Sequence, residues 1–121
     1  MSVNTQKLLD RVAREFGAAA TSEIFKQTFF DALDSVRMDM LNRAFVEWDE
    51  VESTDTDIDI DEKYYTCIYD GVRYYINASS EWARVPKGDL ERQYFFRSLP
   101  LAQELYFDDN PPDVRMGDYD D

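Results

Sequence analysis

Hydrophobic positions recur at helical spacing through most of this chain and switch to strict alternation only once. Leu8, Val12 and Phe16 fall at four-residue steps with Leu9 and Ala13 beside them, predicting a first helix over residues 3–17 that Gly17 stops. Thr21 or Ser22 can cap a second, longer helix over residues 22–45, with Glu23 favourably placed against the helix dipole. Its apolar stripe of Phe25, Phe29, Leu33, Val36, Met40, Leu41 and Ala44 is the longest clean periodicity in the chain.

The period then changes. Val46 and Trp48 alternate with acids, and Thr54, Thr56, Ile58 and Ile60 alternate strictly with Asp55, Asp57, Asp59 and Asp61. Alternation is the signature of a half-buried strand. It predicts two short strands, around residues 46–52 and 56–60, paired through a turn at 53–55, with the four aspartates as a one-sided outer row.

Two patterns compete in EKYYTCIYDGVRYYIN. Asp70-Gly71 between aromatic and β-branched runs is a strong hairpin signal. Tyr65, Ile68, Tyr69, Val72 and Ile76 instead lie on one helical stripe. Five matches to the helical template, and the need to cover two earlier helices, favour a helix over residues 63–77. Ser79, Ser80, Pro86 and Gly88 mark a loop in which Trp82 plugs the core edge. Asp89 caps a last helix over residues 89–106 that carries Leu90, Tyr94, Leu101 and Leu105, with a kink or break expected near Ser98 because Pro100 interrupts it.

The predicted fold class is mainly α: a small bundle of about four helices with a short two-stranded β excursion at 46–61. Residues 1–107 form the single domain, and residues 108–121 an extended acidic C-terminal arm. The length suits one domain with a real core. Eight Phe, eight Tyr and two Trp exclude a wholly disordered acidic chain, and Tyr and Trp are enriched at protein interfaces.

Charge sharpens this division. The net charge is −13, yet residues 46–62 hold nine acids and no base, and residues 108–121 hold six acids against Arg115. The rest of the chain is nearly neutral, so the acids mark two segments and not the whole surface. Such acidity disfavours binding to bare DNA or RNA, whose affinity comes mainly from Lys and Arg. No apolar h-region opens the chain and no run approaches the roughly 18 apolar residues of a membrane span, which predicts a soluble protein without a signal peptide.

Catalytic chemistry finds little to work with. Histidine is absent, which removes the commonest general base and metal ligand. Cys67, the single cysteine, excludes an internal disulfide and reads as a buried structural thiol among Tyr65, Ile68 and Tyr69. Asp55, Asp57, Asp59 and Asp61 open like a calcium loop, but with Asp55 first the sixth position is Ile60 and the twelfth Thr66, so the glycine and glutamate that such a loop needs are missing. No Gly-rich phosphate loop, G-x-S-x-G elbow or C-x-x-C pair occurs. The expectation is a protein that is not an enzyme and takes no cofactor or metal. Arg37 and Arg97 are either exposed helix charges or partners of an acidic segment across a subunit boundary. In the arm, Phe107, Val114, Met116 and Tyr119 are the available anchors, and Pro111 and Pro112 stiffen it for docking on a neighbouring chain.

The segments SEIFKQTFFDALDSVRMDMLNRA, DIDIDEKYYTCIYDGVRYYI and GDLERQYFFRSLPLAQELYF, together roughly half the chain, resemble the head-to-tail adaptor proteins of tailed bacteriophages, also called connector or head-completion proteins. The middle segment, an acidic-aliphatic lead into a Tyr-rich helix with a small residue in it, looks like the third helix of those adaptors; Pro100 departs from a clean final helix. The resemblance implies a virion structural protein of the neck, assembled in the host cytoplasm. Its copies, about a dozen, would form a ring between the portal protein and a tail or neck protein, around passing DNA that is not specifically bound, and without a membrane partner. In such a ring Asp55, Asp57, Asp59 and Asp61 either line the channel and repel phosphates or dock on a basic portal surface, and the sequence does not choose. Two other classes compete: a DNA-mimic inhibitor, which would spread its acids over one broad face, and a small acidic regulator or antitoxin.

Overall fold

A computed structural model describes residues 2–79, Trp82 and residues 87–111, of which 87–89 by backbone alone. Four helices carry the fold: α1 (Thr5–Glu15), α2 (Glu23–Ala44), α3 (Tyr65–Ala78) and α4 (Lys87–Asp109). Their ends follow local chemistry. Asn4 caps α1 by accepting from the Lys7 amide at 2.9 Å, and Ser22 caps α2 by accepting from the Phe25 amide at 3.3 Å. Gly17, at φ 67°, takes the left-handed turn that closes α1.

The amphipathic stripe of α2 was legible in the sequence. Phe25, Phe29, Leu33, Val36, Met40 and Ala44 are buried, together with Leu8, Leu9 and Val12 of α1. Helix α3 lies at the centre, packed against α4, α2 and α1, while α2 and α4 also meet. Residues 63–77 are therefore helical and not a hairpin: a single 3-10 turn at Glu62–Tyr64 leads into α3, and Asp70-Gly71 sits in mid-helix. Both turn-like residues are there for packing. A Cβ on Gly71 would lie 2.6 Å from Phe95 Cε1 and 2.6 Å from Val36 Cγ2, so the glycine lets α3 approach α2 and α4. Asp70 is buried and accepts from Ser98 Oγ at 2.6 Å and from Arg73 Nη2 at 2.8 Å.

Three expectations need correction. First, residues 46–61 are not a pair of strands; among the described residues they make one isolated antiparallel bridge, Val3 with Ile58, through amide–carbonyl bonds of 3.1 and 2.9 Å. The alternation reports burial in part: Val46, Trp48, Ile58 and Ile60 are buried in the core as expected, but Thr54 is half-buried and Thr56 exposed, and Val51 is buried out of phase. What it cannot supply is a hydrogen-bonding neighbour, since the turn at 53–56 leads the chain towards α1 and not back along 46–52. Second, α4 buries Glu91, Phe95, Ser98, Leu99 and Ala102, leaving Leu90 47%, Tyr94 38% and Leu101 56% exposed. The buried face is the stripe next to the expected one, chosen by Phe95 at the Gly71 notch and Ser98 on Asp70. Third, α4 stays helical through Pro100, which is exposed, and extends to Asp109. Asp108 and Asp109 are thus its last turn and not the start of an arm.

Trp82 packs edge-on against Phe25, with ring centroids 5.0 Å apart, as a plug on the core should. No helix among the described residues is long and apolar enough to cross a membrane.

Candidate functional site

Two surfaces stand out. The first is the ribbon of residues 46–62, where Glu47, Asp49, Glu50, Glu52, Asp55, Asp57, Asp59, Asp61 and Glu62 are all exposed. The five buried side chains between them hold the ribbon to the body, so its charge is fixed in place. Thr5 Oγ1 adds a 2.6 Å bond to the Thr56 carbonyl, tying the ribbon to the first turn of α1. The Ser53 hydroxyl accepts from the Asp55 amide at 3.1 Å and shapes the turn. Asp61 caps the 3-10 turn through the Lys63 amide at 2.9 Å.

The ribbon ends against α4. Lys63 pairs with Asp109, and the Lys63 ammonium is held above its usual range first by that hydrogen bond. The other end of the ribbon is rooted at Phe45, which caps α2 in the left-handed region at φ 62°, while the Val46 amide reaches back to the Met40 carbonyl at 3.1 Å. A non-glycine residue there carries strain of about 1 kcal/mol. Its ring lies 5.6 Å from Phe107 and 6.5 Å from Tyr106, so aromatic contact with α4 accompanies the strain.

Among the residues expected to bind partners, Asp55, Asp57, Asp59 and Asp61 come together on the ribbon. Phe107 is half-buried on α4 and Pro111 is exposed beyond it; Pro112, Val114, Met116 and Tyr119 lie outside the described residues. Arg37 pairs with Asp34 of its own helix at 2.8 Å. Cys67 is buried, and burial pushes its thiol up to about 12, far from a reactive thiolate. Among the described residues no group of three or more Cys, Asp or Glu side chains could hold a metal ion.

The second surface was missed in the sequence because it lies on the stripe expected to be core. Leu90, Tyr94 and Leu101 run along the outside of α4, and Gln93, Phe96, Arg97, Pro100 and Leu101 line one apolar depression. Arg43 and Arg92 lie over the Phe96 ring at 5.3 and 5.7 Å.

A polar network running from the surface to the buried Asp70–Ser98 pair joins α1, α3 and α4. Tyr69 donates to Glu15, Arg73 pairs with Glu15 at 3.3 Å and with Asp70 at 2.8 Å, and Asp70 accepts from Ser98. Arg11 and Arg73 lie 4.1 and 4.4 Å from the Tyr69 ring centroid. Burial first, then the bond to Glu15, pushes the Tyr69 hydroxyl up to about 12. Each of these side chains is bonded to another, though Arg73 Nε is buried without a hydrogen-bond partner, and the arrangement suits a structural clamp. No protein-family model, curated protein or solved structure matches the chain.

Proposed function

We propose that the chain is a virion structural protein, a head-to-tail adaptor that forms a ring between portal and tail around the DNA channel. The observation that carries this reading is the acidic ribbon: nine exposed carboxylates on a segment pinned by five buried side chains. A fixed, single-sign surface on a small helical body is suited to docking on a basic ring or to keeping duplex DNA from adhering to a channel wall. A catalytic reading has no comparable support, since the side chains of the polar network bond to one another and the sequence holds no histidine.

The test is cosedimentation with the portal protein encoded in the same genome. The native chain is expected to travel with portal rings, and a variant with Asp55, Asp57, Asp59 and Asp61 changed to Asn is expected to bind more weakly or to retain DNA in the assembled neck. No association of the native chain with the portal, together with tight capture by a DNA-binding enzyme, would establish the DNA-mimic reading instead.

A further inference from the structure

The positive charge of this acidic protein has an uneven distribution. Lys63 and Arg73 pair with Asp109, Glu15 and Asp70 of their own chain, and Lys26 and Arg37 pair within α2. Arg43, Arg92 and Arg97 have no ion pair among the described residues, as is also true of Lys7, Arg11 and Arg14 on α1, although acids outnumber bases two to one. Arg43, Arg92 and Arg97 gather at one place, beside apolar side chains. Arg43 and Arg92 flank Phe96, and Arg97 shares the apolar depression with Phe96, Pro100 and Leu101. Three guanidiniums without an ion pair among the described residues, around the half-buried Phe96 and the exposed Pro100 and Leu101, make a surface suited to an acidic segment that also carries apolar groups.

We infer that this α4 face binds the acidic ribbon of a second copy of the chain, in a head-to-tail contact. Charge complementarity favours that occupant: the ribbon offers nine exposed carboxylates, and the patch three arginines without a carboxylate partner among the described residues. Nucleic acid is the weaker candidate, because a chain of net charge −13 repels a phosphate backbone beyond the reach of three arginines. Patch and ribbon are different surfaces, so the contact is heterologous, and repeating it generates a closed ring or an open filament and not a two-fold dimer. The inference specifies the contact within the ring proposed above, but its test needs no portal, so failure of portal docking and failure of this contact are separate results.

The experiment is sedimentation velocity of the full chain over a concentration series, with two variants. Arg97→Ser/Leu101→Ser removes the patch; Asp55→Ser/Asp57→Ser/Asp59→Ser thins the ribbon. Circular dichroism melting checks that each is folded. The native chain is expected to form concentration-dependent assemblies that weaken with salt, and each variant alone to associate at least about tenfold more weakly. Their equimolar mixture should stop at a 1:1 dimer, since each variant keeps one intact half of the contact. A native chain that stays monomeric throughout would overturn the inference. So would variants that assemble like the native chain, loss of assembly with the patch variant alone, or binding of a labelled DNA duplex that disappears in Arg97→Ser/Leu101→Ser.

Discussion

Ser98 of α4 donates to the carboxylate of Asp70 in α3 at 2.6 Å, both residues being buried where the two helices cross. The same hydroxyl lies 2.9 Å from the Tyr94 carbonyl, and Asp70 also receives Arg73. Removing either partner leaves a buried polar group short of a bond, a loss of about 1–3 kcal/mol. Asp70→Ala and Ser98→Ala are each expected to destabilise by that amount, and a double-mutant cycle in urea should show coupling of about 1 kcal/mol or more. Simple additivity would mean that the pair does not hold α3 to α4.

Gly71 is the second point of close approach. Alanine there would drive a methyl group into Phe95 and Val36, so Gly71→Ala is expected to cost about 1–3 kcal/mol despite the better helix propensity of alanine. A gain in stability of up to about 1 kcal/mol, as at an open helix site, would contradict the packing described.

The two stripes of α4 separate cleanly by substitution. Phe29→Ala and Leu33→Ala in α2, like Phe95→Ala in α4, should destabilise by about 2–5 kcal/mol, being fully or almost fully buried. Leu90→Ala and Leu101→Ala, on the outer stripe, should stay within about 0.5 kcal/mol. Thermal or urea unfolding decides the matter, and a large loss at Leu101 would place the outer stripe back in the core.

Alkaline conditions should loosen the clamp between α1 and α3. Burial and the bond to Glu15 raise the Tyr69 hydroxyl from its ordinary value of 10 to about 12, and the half-buried Tyr75, bonded to Asp39, moves in the same direction. A raised value means that the folded state keeps the proton more tightly than the unfolded chain. Its contribution to stability is therefore complete below about pH 10 and is lost as pH rises through about 12. Ultraviolet titration of tyrosinate should show late-ionising tyrosines in the native protein, and Tyr69→Phe should flatten the alkaline fall in stability. Early ionisation of all eight tyrosines would show that the clamp is open to solvent.

The helices were legible in the sequence wherever one apolar stripe dominated, as in α2. The inward positions Val46, Trp48, Ile58 and Ile60 were legible too, but not the exposure of Thr56, the burial of Val51 or the lack of a pairing partner, because burial period and ladder formation are separate properties. In α4 two adjacent stripes both carry large apolar residues, Leu90, Tyr94 and Leu101 on one and Phe95 and Leu99 on the other. Only tertiary contacts with Gly71 and Asp70 decide between them. That ambiguity hid the exposed face, and with it the arginine-rimmed patch. The acidic ribbon was visible as charge, while its fixed position depends on Val46, Trp48, Val51, Ile58 and Ile60 finding the core.

Electron microscopy of the purified chain mixed with the portal protein from the same genome tests the central claim most directly. The adaptor reading predicts a closed ring of this chain seated on the portal and coaxial with its channel; isolated monomers beside bare portal rings would contradict it.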